Sequence, residues 1–389
     1  MKFDLAARLS KLPPYLFIEI DKKKKAAQAA GVDLVDLGVG DPDRPTPAPL
    51  LAELNRASAN PAYHQYPFGS GLPKFRHAAA DWIAQRFGVQ VDAATQVLAL
   101  IGSKEGIGHL PLAFVNPGDR VLCPDPGYPV YHAGTVFCGA VPVKMPLRAE
   151  NGFLPDFGKI PTAQLRRARL MWLNYPNNPT AATAPLSFFT EAVRFCKRHG
   201  LILAHDMAYS EVYYDGERPP SVLEVPGAKD VAIEFHSLSK TYNMTGWRVG
   251  FAVGRPDLIA GLGAVKGNLD SGVVSAIQAM AIAALRAPAE MTESVRQGYQ
   301  TRRDLFVPGL QALGLDVRLP KASFYVWVRV PKGKKSAAFC AELLEKAGIV
   351  AAPGNGFGAA GEGYFRMTIT APEERLKLAL DRLARLQSR

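Results

Sequence analysis

The sequence has few cysteines, no long apolar run and no cluster of histidines, and each shortage excludes something. Its four cysteines, Cys123, Cys138, Cys196 and Cys340, form no CxxC pair and stand beside no histidine cluster. That argues against a zinc site and against a disulfide framework, so inert, buried thiols and no bound metal are expected. No uncharged apolar run approaches the ~18–20 residues that span a bilayer. The opening stretch carries an early acid and lacks a long apolar core, so no secretory signal is expected and the cytoplasm is the expected compartment. Walker A, GxSxG, zinc-finger, RNP-type aromatic and heptad-bearing basic motifs are all missing. The segment Gly356-Phe-Gly358-Ala-Ala-Gly361 does fit GxGxxG. A strand rather than a helix is expected after it, so it does not read as a nucleotide site.

What is present is an ordinary globular composition over 389 residues, 48% apolar and 21% charged. That length suits two packed domains. Forty-six Lys and Arg against 35 Asp and Glu give a net charge of +11, a balance that suits either nucleic acid or anionic small molecules. The basic residues are scattered apart from Lys22-Lys23-Lys24-Lys25. That run is expected to form the wet face of a helix whose apolar side is Ile18, Ala26 and Ala29. Neither nucleic acid nor a membrane is an expected partner.

Short β-rich apolar runs lie at residues 97–102, 120–125, 141–147, 170–175, 201–206, 232–238 and 249–254, most of them separated by enough chain for a crossover helix. Residues 188–199, for example, have helical periodicity. Strands alternating with helices predict an α/β fold with a mainly parallel sheet covered on both faces. Only ten residues separate Leu238 from Val249, too few for the crossover of about a dozen that parallel neighbours need. One antiparallel strand is therefore predicted directly after the segment holding Lys240. Towards the C-terminus, 324–330 and 364–370 read as strands and 337–347 and 373–386 as helices. A smaller, discontinuous α+β domain follows, made of 1–45 and 285–389, beside a large domain of 46–284.

Five segments carry chemistry. Ser237-Leu-Ser239-Lys240 is followed by Arg248, with apolar strands on both sides. A lone lysine is ordinarily a solvated surface group, but one set between two buried strands needs a reason. A Schiff-base lysine requires a dry pocket and a nearby anion site, which hydroxyls and a guanidinium supply. Asp206 ends an apolar strand, where open α/β sheets bind ligands; alone it also reads as a helix N-cap. Asn174-Tyr-Pro-Asn177-Asn178-Pro179-Thr180 is a rigid polar turn. Gly102-Ser103-Lys104 opens a helix and offers amides to a phosphate. Tyr128, in Pro126-Gly-Tyr128-Pro-Val-Tyr131, suits either stacking on a flat cofactor or the core.

Together and in this order, these segments resemble the class I/II aminotransferases of the fold-type I pyridoxal-phosphate family, over 15–366. The resemblance implies a homodimer with shared active sites and pyridoxal 5′-phosphate held by Lys240 as a Schiff base. It assigns Asp206 to the ring nitrogen, which a carboxylate keeps protonated. Asn178 and Tyr209 fall to the ring oxygen and Tyr128 to the ring face. Ser103, the Lys104 amide, Ser237, Ser239 and Arg248 fall to the phosphate, Tyr66 to the partner's site, and Arg366 to the substrate α-carboxylate. One departure stands out: Ala181 replaces the family's glycine after Asn-Pro-Thr, which puts the geometry of that turn in question.

The stretches around Tyr15 and Gly40, with Gly-Ser-Lys-Glu-Gly and Asn268-Leu-Asp-Ser271-Gly, are similar to LL-diaminopimelate aminotransferases. In that subgroup Tyr15, Gly40, Lys104 and Asn268 touch substrate, 2-oxoglutarate takes the amino group, and the product belongs to lysine biosynthesis. Aspartate- and alanine-type aminotransferases share versions of these blocks. A pyridoxal-phosphate β-lyase would use the same cofactor residues. A non-enzymatic regulator on this fold would need a DNA-binding arm, for which the chain leaves no room.

Overall fold

The computed structural model describes residues 3–13 and 16–387. In chain order its strands are β1 (Val35–Asp36), β2 (Val97–Leu100), β3 (Arg120–Asp125), β4 (Val141–Pro146), β5 (Ala168–Asn174), β6 (Ile202–Asp206), β7 (Ala232–Ser237), β8 (Gly250–Gly254), β9 (Tyr325–Arg329), β10 (Ile349–Val350), β11 (Ala352–Pro353) and β12 (Tyr364–Thr368). Strands β2 to β8 form one seven-stranded sheet in the order β2-β8-β7-β6-β5-β3-β4. All seven predicted runs are in it.

The inner strands are apolar throughout because both faces are covered. Met171, Trp172 and Leu173 of β5 are all buried. On one face pack the helices Ser103–Phe114, Pro129–Phe137 and Pro256–Leu269; the other meets Pro73–Phe87 and Leu186–His199. Edge strand β4 is protected differently: it carries Pro142, Pro146 and Lys144 and is largely exposed, features that discourage a further strand from pairing.

The predicted antiparallel strand is β8, antiparallel to both β2 and β7. Gly250 makes its close approach possible. A Cβ there would lie 2.5 Å from the His236 carbonyl oxygen and 3.1 Å from the Ser103 nitrogen.

The C-terminal elements form a second layer. Strands β11-β12-β9 make an antiparallel sheet, and β1 from the N-terminal region pairs in parallel with β10. Helices Ser336–Ala347 and Glu373–Gln387 lie where the pattern placed them. Residues 356–361 form two short 3-10 turns followed by β12, so this GxGxxG opens no helix. The cysteines are free, and three are buried. Burial pushes the thiols of Cys123 and Cys340 up to about 12.

The lysine run is a correction. It lies in the helix Leu16–Ala29, but Ile18 is 54% exposed and Ala26 and Ala29 face solvent too. Among the helix's described side chains Ile20 is the buried one, in a cluster with Val350 and Phe357. Lys24 is no bystander in water, since its Nζ lies 2.7 Å from Asp36 Oδ2. Four consecutive lysines cannot share one face, because neighbours on a helix sit 100° apart.

Candidate active site

Parallel strands β5 and β6 end together, with Asn174 opposite Asp206 in register. Their C-terminal edge is where an open α/β sheet presents a ligand site. Asn174 Nδ2 donates to the Asp206 carbonyl oxygen (2.8 Å), while its Oδ1 accepts from the Asn178 amide (2.8 Å). The polar turn is thereby fixed to the strand that delivers the acid.

The Asp206 carboxylate is buried. It accepts from the Tyr131 hydroxyl at 2.6 Å and from the Ala208 amide at 3.3 Å. Burial raises its pKa, opposed by the Tyr131 bond and by His205 and His236. A buried acid with so few donors is suited to a cationic partner, and a protonated ring nitrogen would be one. Beneath it, the buried Glu234 carboxylate takes hydrogen bonds from the Ser221 hydroxyl (2.8 Å) and the Val222 amide (3.0 Å) and lies 2.8 Å from His205 Nδ1 and His236 Nε2.

Lys240 follows β7 in the single turn Leu238–Thr241. Its Nζ donates to the Gly40 carbonyl oxygen at 3.1 Å and lies 5.7 Å from the centre of the Phe324 ring. Burial lowers its pKa to about 8; Asp41 opposes that, while Arg248 and Arg366 add to it. An amine so tuned is neutral, and nucleophilic, at much lower pH than ordinary lysine.

A cradle for an anion lies alongside. Arg248 holds a left-handed φ of 53°, and its Nη1 donates to the Thr245 carbonyl oxygen at 2.8 Å. Gly102 (φ 73°) precedes the helix Ser103–Phe114, and a Cβ on it would fall 2.6 Å from Arg248 Nη2. The guanidinium thus sits against a helix N-terminus whose amides point the same way. Ser103, Ser237 and Ser239 are buried here, and Ser237 Oγ accepts from the Ser239 amide at 3.3 Å. A phosphate fits this donor set.

Arg366, on β12, is fully buried. Its Nη1 donates to Asn178 Oδ1 (2.8 Å) and its Nη2 to the Gly38 carbonyl oxygen (2.7 Å). The guanidinium lies over Tyr325 at 4.2 Å and Phe357 at 4.7 Å. The Tyr209 hydroxyl is 2.8 Å from that of Tyr325. A Cβ on Gly40 would be 2.7 Å from the Tyr325 hydroxyl, so only glycine passes there.

The structure therefore gathers Lys240, Asp206, Arg248, Ser103, Ser237, Ser239, Asn178, Tyr209, Gly40 and Arg366. Tyr128 stands edge-on to Tyr131, 5.9 Å between ring centres. Three expected residues face outward. Tyr66 is 73% exposed, with its ring stacked on Phe68; Lys104 is exposed in the first turn of its helix; Asn268 is exposed and donates to the Ala264 carbonyl oxygen. Tyr15 lies outside the described residues. Sequence reasoning gave no role to Tyr131 or Tyr325, although Tyr131 was in view, one helical turn from Tyr128.

Among the described residues, Glu105, His109 and Asp270 bring ligand atoms within 4.8 Å of one another. The Lys266 ammonium already serves them, 3.1 Å from Glu105 and 2.8 Å from Asp270. No described helix is long and apolar enough to cross a membrane.

Comparison with known proteins agrees with this geometry. The family model described as aminotransferase class I and II matches residues 32–383. The LL-diaminopimelate aminotransferase of Aquifex aeolicus is 53% identical over 385 residues, covering 99% of this chain and 100% of that one. The enzyme of the same name from Nitratidesulfovibrio vulgaris strain DP4 is 54% identical, with 99% of each chain covered. Among solved structures, substrate-bound BacF from Bacillus subtilis superposes with a TM-score of 0.95 at 37% identity, covering 99% of this chain and 98% of that one.

Proposed function

The chain belongs to the class I and II aminotransferases, and from that premise we propose that it uses pyridoxal 5′-phosphate to move an amino group from LL-diaminopimelate to 2-oxoglutarate. The observation that carries the cofactor reading is the joint placement of a low-pKa lysine, a buried acid and an arginine-backed helix N-terminus. Identity above 50% over nearly the whole length of relatives bearing that name supports the donor.

Bound pyridoxal 5′-phosphate supplies an aldehyde that exchanges amines and a ring that draws electrons from the substrate α-carbon. The protein's own groups do the rest. Arg248, Ser103, the Lys104 amide, Ser237 and Ser239 would hold the phosphate. Asp206, oriented by Tyr131, would keep a proton on the ring nitrogen. Asn178 and Tyr209 would take the ring oxygen, and Tyr128 would pack on the ring. The Arg366 fork takes the α-carboxylate through paired hydrogen bonds. Lys240 Nζ, whose pKa burial lowers to about 8 in the cofactor-free chain, would be the base that takes the α-proton.

We further infer a homodimer. The exposed Tyr66 and Phe68, 73% and 74% accessible, support a partner covering that edge, where Tyr66 would reach the partner's cofactor. Tyr15, Gly40, Lys104 and Asn268 are assigned to substrate in the same reading, with 46–284 as the large cofactor-binding unit and 1–45 with 285–389 as the small one.

A donor panel tests it: LL-diaminopimelate, aspartate, alanine, tyrosine and kynurenine, each with 2-oxoglutarate, with glutamate as the readout. The highest kcat/KM is expected with LL-diaminopimelate. Activity with aspartate alone would remove that donor, and ammonia with pyruvate formed without an acceptor would indicate a β-lyase.

A further inference from the structure

Strand β9 begins two residues after Ser323, which holds a left-handed φ of 60° and whose Oγ accepts from the Tyr325 amide at 3.3 Å. Strand β12 runs antiparallel beside it, with Tyr325 opposite Thr368 and Trp327 opposite Arg366. Tyr325 is thus diagonal to Arg366 on one face of the small sheet, a separation that an aromatic ring and a long side chain can bridge. The result is a buried ring, 4% exposed, with the Arg366 guanidinium 4.2 Å from its centre.

Tyr325 touches the site on two more sides. Its hydroxyl is 2.8 Å from that of Tyr209. Its edge lies against Gly40, where a Cβ would be 2.7 Å from both Cε1 and the hydroxyl, and the Gly40 carbonyl oxygen accepts from Lys240 Nζ. The roles assigned to Lys240, Tyr209 and Arg366 leave Tyr325 without one, although its ring meets all three or the peptide that holds them. A hydroxyl has a single proton to give. If Tyr209 gives its proton to the cofactor's ring oxygen, the 2.8 Å contact persists only with Tyr325 as the donor.

We propose that Tyr325 is a positioning residue for the transfer: its hydroxyl donates to Tyr209 and aims the Tyr209 proton at the ring oxygen, while its face supports the Arg366 fork. The inference rests on the proposed use of pyridoxal 5′-phosphate at Lys240. A phenol oxygen that accepts one hydrogen bond becomes a stronger donor of another. In a Schiff base of pyridoxal phosphate the imine proton is shared with the ring oxygen, and when it leaves, that oxygen leans more on its other donors. The Tyr209 bond therefore favours the proton-free form, and weakening it moves proton loss to higher pH.

The test is a pH titration of the visible absorbance of the full-length, cofactor-loaded protein, which reports that proton. Tyr325→Phe keeps the ring and removes the hydroxyl. Its midpoint is expected to rise by about half to one pH unit, as loss of one hydrogen bond implies, with KM for the amino donor unchanged because the ring still underlies Arg366. In a Tyr209→Phe background the same change should move the midpoint no further, since the two hydroxyls act as one unit. Tyr325→Leu, which removes the ring as well, should also raise KM roughly 3–10-fold through the lost stacking. An unchanged midpoint in Tyr325→Phe, or an equal rise with and without the Tyr209 hydroxyl, overturns the proposal. If the unaltered protein gains no visible absorbance from the cofactor, the cofactor reading itself fails and this proposal with it, a result distinct from the other two.

Discussion

Arg366 Nη1 and Asn178 Oδ1 are 2.8 Å apart, although 188 residues separate them in sequence. This bond ties the small antiparallel sheet to the turn that follows β5. It also orients a planar guanidinium towards the site that holds Lys240. A lysine could keep the charge but not the fork. Arg366→Lys is expected to raise KM for the amino donor about 10–100-fold, the loss of one charge-assisted hydrogen bond of a pair, with a smaller change in kcat. Steady-state kinetics with the preferred donor checks it.

Lys240 carries a pH signature. Its pKa in the folded chain is about 8 against an ordinary 10.5, so between those values the unfolded chain binds more protons than the folded one. Stability of the cofactor-free protein from this group therefore rises as pH goes from about 8 towards 10.5, and below 8 the full cost of the buried charge is present. Lys240→Met should flatten that slope. Urea unfolding of both proteins across this range provides the comparison.

Asp206 and Tyr131 should differ in weight. Asp206→Asn removes the charge proposed to hold a proton on the ring nitrogen, and kcat is expected to fall about 10²–10³-fold, as for loss of one preorganised electrostatic group. Tyr131→Phe removes only a hydrogen bond to that acid, worth about 1.5–3 kcal/mol for a charged acceptor, and should lower kcat about 10-fold or somewhat more. Equal effects from the two changes would contradict the assignment of Tyr131 as a positioning residue.

Ala181 holds a left-handed φ of 58°, a conformation that glycine adopts without steric cost. The turn keeps its shape, with Thr180 bonded to Asn177 Oδ1 at 2.7 Å, and the backbone bears the strain. That conformation costs a residue with a Cβ about 1–2 kcal/mol, while glycine loses about 0.5–1 kcal/mol more entropy on folding. Ala181→Gly should thus stabilise the protein by about 0.5–1 kcal/mol, read as a higher urea midpoint at unchanged m.

Much of this was legible in the sequence for physical reasons. Strands buried on both faces leave continuous apolar runs, so all seven strands of the large sheet could be read. The short gap after Leu238 required β8 to run backwards. Residues at the ends of those runs, Lys240, Asp206 and Asn178 among them, were legible with them. Contacts that depend on how separate elements are assembled were not. Arg366 reaching the Gly38 carbonyl oxygen, or Tyr325 meeting Tyr209, follows from the docking of the small sheet, which no local pattern encodes. The buried face of the helix Leu16–Ala29 was misread because, among its described side chains, only Ile20 is buried, too little for periodicity to reveal.

The central claim is that Lys240 is the covalent anchor of the cofactor. Borohydride reduction of the protein loaded with pyridoxal 5′-phosphate, followed by peptide mapping, tests it most directly. The account predicts a single pyridoxyl adduct, on the peptide containing Lys240, and none in Lys240→Ala. An adduct on a different lysine, or none in the unaltered protein, would contradict it.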